Sequence, residues 1–391
     1  MDGAGHGSGG EDKGRAGALC VAQVACDAPD PISAIHAQLG PGPFALVCLF
    51  ASPRADFIAL TRQAQGRFGA AEVLACTTAG EIGLNGYEDG QIIATGFPAD
   101  LFAVDSYAID GLDQLEAQAT IDEVIHRRRA LAAHAPQMPY DFAFLMVDGL
   151  SLQEENLTSV LASGMGSTPL FGGSTGDGTS FCSTWVAHNG VIRRNAALLA
   201  LVRSHCPVKV FSLDHLVPTE VRMVVTAADP DRRLVQQINA EPAAAEYARL
   251  LGKDPGQLDA FTFAAHPVVV RLGDSHHVRS IQRVDESGHL VFFSAINEGM
   301  VLTLARHQDM ARHLEEGLRA LSHPVMPQQI LGCDCLFRRI EAGQYQQTRR
   351  VSDILSRFNV VGFNTYGEQY GALHVNQTLT GVAFYPPEGR G

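Results

Sequence analysis

The run Gly362–Tyr385, GFNTYGEQYGALHVNQTLTGVAFY, holds a turn rich in glycine, tyrosine and polar groups between two apolar stretches. That layout presents chemistry at the end of a strand. Within eight residues of His374 lie Tyr366, Tyr370, Glu368, Gln369 and Asn376. If a strand runs from His374 onward, alternation places His374, Asn376, Thr378 and Thr380 on one face. An uncharged imidazole among such groups can ligate a metal or haem iron, or hydrogen-bond a ligand.

Upstream of this run, apolar strand-like segments alternate with helical patterns. Strands are expected at 44–50, 72–76, 91–97, 101–109 and 142–147, and helices at 56–68, 114–133 and 156–163. The segments 91–97 and 101–109 are joined too closely for a parallel crossover. The sheet is therefore read as mixed and covered by helices. Further strands are expected at 183–187, 196–203, 209–213 and 220–227, before the turn cluster Ala228-Asp229-Pro230-Asp231. Beyond it the order restarts, with a strand at 329–337 and a helix at 348–357 ahead of the opening run. The fold class is thus α/β (mixed α+β): two consecutive domains, residues 18–226 and 227–391, after a disordered tail at 1–17. No sequence repetition is detected between them.

The composition supports a folded globular chain: 391 residues, 46% hydrophobic and 18% charged, enough for two packed cores. A net charge of -13 argues against a nucleic-acid or anionic-membrane surface, both of which need clustered cations. The Gly-rich N-terminus lacks the apolar core of a secretion signal, and no apolar run approaches a membrane span. A cytoplasmic location is expected. Six of the eight cysteines lie in or beside apolar stretches; disulfides are not expected, and Cys333 and Cys335 are read as packing residues.

Gly172-x-Ser174-x-Gly176 has the spacing of a hydrolase nucleophile elbow, which needs a strand before the serine and a helix straight after it. Here Asp177-Gly178-Thr179-Ser180 reads as a turn, so no catalytic residue is assigned and an enzyme is not expected. Neither a P-loop nor a dinucleotide-binding glycine pattern occurs. Thr77, Thr78, Ser174, Asp177 and Asn376 are candidate ligand-binding residues on Gly-containing turns. His188 precedes the Asn189-Gly190 hairpin signal.

Three stretches, Cys76-Thr77-Thr78-Ala79-Gly80-Glu81-Ile82, Phe171-Gly172-Gly173-Ser174-Thr175-Gly176-Asp177 and Gly362 to Tyr370, resemble the FIST sensory proteins. The pairing of Tyr366-Gly367-Glu368-Gln369-Tyr370 with His374-Val375-Asn376-Gln377-Thr378 is similar to the nitric-oxide-sensing haem branch called NosP. This resemblance implies a b-type haem protein that binds nitric oxide and regulates a separate histidine kinase or cyclic-di-GMP enzyme. His374 would ligate the iron, with His188 as the second candidate; Tyr366, Tyr370 and Arg339 would line the cofactor. Arg338 and Arg339 are read as a surface pair. A haem-free FIST module binding a small metabolite such as an amino acid stays open, as do a Ser174 hydrolase and homo-oligomerisation.

Overall fold

A computed structural model describes residues 17–272 and 275–387; most of the expected N-terminal tail lies outside these. The mixed α/β architecture expected from the sequence is the one found, and its strands fall into three equivalent six-stranded sheets plus a fourth.

The first sheet has the order Cys20–Ala25, Gln91–Pro98, Phe44–Ala51, Glu72–Thr77, Val186–His188, Val191–Arg193. The second runs Phe102–Asp110, Ala196–Ser204, Tyr140–Val147, Leu170–Ser174, Glu368–Tyr370, Leu373–Val375. The third runs Val208–Leu213, Leu379–Phe384, Gln329–Cys335, Val360–Thr365, Glu81–Gly83, Gly86–Glu88. In each, the third and fourth strands are parallel and the other neighbours antiparallel. The parallel pairs are joined by the helices Phe57–Phe68 and Glu154–Met165, and in the third sheet by Leu336–Gln344 and Thr348–Arg357. Parallel pairing requires such a crossover.

The last two strands of every sheet are a hairpin belonging to another sheet's stretch of chain. The hairpin after Glu72–Thr77 docks on the third sheet, that after Leu170–Ser174 on the first, and that after Val360–Thr365 on the second. Sheets two and three therefore draw strands from both halves of the chain. This three-fold plan corrects the expectation of no repetition. Its sequence trace is short: Thr78-Ala79-Gly80-Glu81, Ser174-Thr175-Gly176-Asp177 and Thr365-Tyr366-Gly367-Glu368.

The central strands read FALVCLFA, FAFLMV and AALLALV because one face meets a shared core and the other meets helices. Phe50 and Phe363 stack at 4.8 Å and Phe144 and Phe171 at 4.9 Å in that core, which also takes in Cys48, Cys76 and Cys333. All eight cysteines are free thiols. Where a strand was expected through Phe337, the chain turns into the helix Leu336–Gln344 after Cys335.

The fourth sheet is an insertion in the third repeat, between Val208–Leu213 and the helix Met310–Leu321. It is wholly antiparallel, from Leu216–Asp229 to Val301–His307. Residues 226 and 227, the junction read from the sequence, lie inside Leu216–Asp229, and Pro230-Asp231 turns that strand into a hairpin with Leu234–Ile238. Phe292, Phe293 and Phe263 of the insertion share an apolar cluster with Ala79, Phe337 and Tyr366 of the repeats. The insertion thereby covers the ends of the parallel strands.

In the third sheet Gly332 opposes both Gly362 and Gly381. Gly362 has φ +150°, and a Cβ there would lie 1.9 Å from the Gly332 carbonyl oxygen. Gly362→Ala is expected to destabilise the protein by about 3 kcal/mol, because neither backbone can give way. A urea midpoint measured beside the parent checks it.

Candidate functional site

Beneath the insertion, where it meets the ends of the second and third repeats, lies a largely buried polar cluster. Glu154 and Glu155 begin the helix Glu154–Met165, and both accept from Arg233 Nη2. Arg233 is 2% exposed, and its Nη1 donates to the Phe293 carbonyl. Glu155 also accepts from the Ala295 amide at 2.9 Å. Ser174, at the end of its strand, donates to Glu154 at 3.3 Å and accepts from Gln369 Nε2 at 2.9 Å. The same amide nitrogen lies 3.3 Å from His374 Nδ1. Asn376 Oδ1 accepts from Ser294 Oγ at 2.8 Å, and Gln377 Nε2 donates to Ser280 Oγ at 3.2 Å.

Arg279 completes the set from the insertion. It is 7% exposed, and its Nη1 donates to the backbone carbonyls of Val278 and His374. Among the described residues no carboxylate pairs with it, and burial lowers its pKa. A buried guanidinium without a counter-ion is costly unless something else supplies the charge.

Native folds pair nearly all of their buried polar groups. Twelve buried side-chain atoms among the described residues lack a protein partner, and six belong here: Arg233 Nε, Arg279 Nε, Gln369 Oε1, His374 Nε2, Asn376 Nδ2 and Gln377 Oε1. His374 Nε2 and Asn376 Nδ2 both lie beside Gly367, where a Cβ would approach them to 2.8 and 2.9 Å. Burial lowers the His374 pKa although Glu155 and Glu154 oppose it, so the ring is neutral at pH 7. On Glu155, burial is outweighed by the charge of Arg233, 2.8 Å away, and by the Ala295 amide, and the carboxylate stays ionised. The cluster thus offers several N–H donors, one guanidinium without an anion, and a carboxylate.

The candidates read from the sequence divide cleanly. Ser174, His374 and Asn376 meet in this cluster. Tyr366 and Asp177 lie at its edge and satisfy each other: the Tyr366 hydroxyl donates to Asp177, which also accepts from the amides of Phe181, Cys182 and Ser183. Thr78 donates to Glu81 at 2.5 Å and Thr77 accepts from the Trp185 amide, both in the first repeat. His188 is elsewhere, its Nε2 held by Glu72 and Ser106 at 3.0 Å each. Arg339 binds Asp89, the Glu88 carbonyl and Asn364, and Tyr370 is 39% exposed. Arg338, read as a surface residue, is 1% exposed and paired with Asp334. Ser174 precedes a turn rather than a helix, so the elbow geometry is absent.

The sequence reading missed Glu154, Glu155, Arg233, Arg279, Ser280, Ser294 and Gln377. A single charged or polar residue carries no mark of its burial. The one local hint is Arg233, whose φ of +56° is unusual for a side chain of that size.

Two comparisons bear on identity: the FIST N domain matches residues 45–241, and the FIST C domain matches 243–371. The chain belongs to the FIST family. FIST domains are sensory domains of signal transduction, so a ligand-sensing role follows for this chain. No curated protein matches it. Among the described residues of this FIST protein, no helix is long and apolar enough to cross a membrane.

The residues around His374 do not fit a haem. An iron-ligating imidazole presents a bare nitrogen and donates from the other. Here Gln369 Nε2 donates to Nδ1, which leaves the ring proton on Nε2. The surroundings are Glu154, Glu155, Arg233 and Arg279 rather than an apolar slot, and the Gly367 backbone lies against the ring.

Glu368 supports the hairpin that carries this site. Its carboxyl accepts from Thr365 Oγ1 at 2.5 Å and from the Thr378 amide and hydroxyl at 3.1 and 2.8 Å. Complete burial nevertheless pushes its pKa up to about 8. Folding then takes up a proton between the ordinary glutamate range and pH about 8, so stability falls as pH rises through that window. Glu368→Gln keeps a neutral group of the same shape and is expected to flatten this fall. Urea midpoints measured from pH about 5 to about 8, the window set by this linkage, check it.

Proposed function

We propose that this FIST protein senses a small zwitterionic metabolite, an amino acid or a close relative, held in the polar cluster beneath the insertion. The observation that carries the reading is Arg279, a buried guanidinium lacking an anion beside the unpartnered donors His374 Nε2 and Asn376 Nδ2. A carboxylate answers Arg279, and Glu155 answers an ammonium group. Gln369 and Gln377 supply unpartnered acceptors. The burial of Arg279, His374 and Asn376 makes each pairing with them discriminating, because a ligand lacking the group leaves protein atoms unpaired.

The site is built from the insertion on one side and from repeat loops on the other. A ligand bridging Arg279 to His374 and Asn376 stabilises the closed arrangement over any arrangement in which the insertion has moved. We place the output in a separate signalling enzyme, a histidine kinase or cyclic-di-GMP enzyme, as the family resemblance implies. The nitric-oxide reading needs haem at His374 or at His188; the first ring faces charged groups and the second is held through Nε2 by Glu72 and Ser106, so that reading is not carried forward.

Thermal melts against the proteinogenic amino acids and small mono- and dicarboxylates test this. One class is expected to raise the melting temperature by about 3 °C at a hundredfold excess over its dissociation constant, the shift that mass action gives a chain of this size. Arg279→Gln should weaken that ligand by about 10-fold or more while leaving the unliganded melt little changed. A saturable Soret band on adding haem, or a panel in which nothing shifts the melt, overturns the reading.

A further inference from the structure

A second buried set of titratable groups sits where the insertion joins the third repeat. His215 immediately precedes the strand Leu216–Asp229, and His307 ends the strand Val301–His307. Leu216 opposes His307, and the Gln308 amide donates to the His215 carbonyl at 2.9 Å. The two histidines therefore mark where the chain enters and leaves the insertion. Glu341 reaches them from the helix Leu336–Gln344 of the repeat. The side chains of His215, His307 and Glu341 are 0, 9 and 2% exposed.

The hydrogen bonds fix where protons must be. Arg338, anchored by Asp334 at 2.6 Å, donates to His215 Nδ1 at 2.8 Å, so the ring hydrogen of His215 is on Nε2, which lies 2.8 Å from Glu341 Oε2 and 3.2 Å from His307 Nδ1. His307 Nε2 lies 2.9 Å from the Ala264 carbonyl, which can only accept, so that nitrogen carries a hydrogen too. His307 Nδ1 then faces Glu341 Oε2 at 2.8 Å. A lone pair and a carboxylate at that distance repel unless one proton lies between them. The spacing of the three groups resembles a His-His-Glu metal set. A metal on His215 Nε2 would force the ring hydrogen onto Nδ1, against the Arg338 guanidinium, so the arrangement suits a proton and not a cation.

We propose that one proton shared between His307 and Glu341 locks the foot of the insertion to the third repeat, and that its loss as pH rises loosens the insertion. The other groups facing this pair are His215 with Arg338 behind it, His266 on the neighbouring loop, and the Tyr345 ring, 6.4 Å from that of His307. Burial lowers His215 to about 4, so it is neutral at pH 7. On Glu341 the hydrogen bonds from His215 and His307 outweigh burial and keep the carboxyl low. The sign follows: the closed joint binds one proton more than the open one, so raising pH favours opening. The inference concerns the joint alone and stands whatever ligand the polar cluster takes.

Hydrogen exchange of the full chain, read over residues 216–307 and corrected for intrinsic rates, tests it between pH about 6 and about 9, the span of histidine-linked titration. The opening constant is expected to climb by about tenfold per pH unit across the titration, the slope of a one-proton linkage. Glu341→Gln should stay closed and become flat, since its amide donates to a neutral His307 and still accepts from His215. Glu341→Ala should open at every pH. A flat parent profile overturns the proposal, and so does a Glu341→Gln profile with the parent slope. Stoichiometric uptake of zinc from zinc chloride, lost in His307→Ala, overturns it in favour of a metal. If Glu341→Gln does not fold, nitrogen-15 spectra of the parent histidines decide: a His307 ring protonated on one nitrogen throughout the range rejects the shared proton.

Discussion

Each of the three sheets presents the outer edge of a parallel strand pair, and an open edge must be paired or covered. The chain pairs it with a hairpin borrowed from another repeat, and the three loans close on themselves. Every hairpin follows a turn of the form Thr or Ser, any residue, Gly, acid. In the first and third turns the acid, Glu81 or Glu368, accepts from the hydroxyl three residues before it and from an amide further on, at Gln91 or Thr378. In the second, Asp177 instead gathers the amides of Phe181, Cys182 and Ser183. These carboxylates fix where each hairpin leaves its strand, and so which neighbour it can reach.

The polar cluster is a consequence of that exchange. Ser174 ends a strand of the second repeat, while Gln369 and His374 belong to the hairpin that the third repeat lays beside it. The insertion, which interrupts the third repeat alone, then brings Arg233 and Arg279 over the junction. The unpartnered donors lie where the insertion meets the hairpin of the third repeat. The insertion thus makes this part of the three-fold frame unlike the other two.

The joint at His215, His307 and Glu341 belongs to the same logic. An inserted sheet that covers a buried site must be held at its base, and the base here is a proton-dependent contact rather than an apolar one. Ligand contacts at one side of the insertion and the proton at the other act on the same body. Both favour the closed arrangement, and neither needs a change inside the three sheets.

Runs such as FALVCLFA and AALLALV declared buried strands by themselves, because strands covered on both faces need no polar alternation. The family and the mixed sheet were likewise legible, since they rest on local motifs, and Ser174, His374 and Asn376, singled out from such motifs, meet in the polar cluster. The helix at Leu336 was hidden because Leu336-Phe337 extends the apolar run of the strand before it without a break. Which hairpin pairs with which strand was not legible, because pairing depends on contacts between residues as far apart as Ile82 and Gly362. Nor was the burial of Arg279: a lone arginine reads as solvated, and only the tertiary structure, by folding the insertion over the repeats, buries it without a paired carboxylate among the described residues.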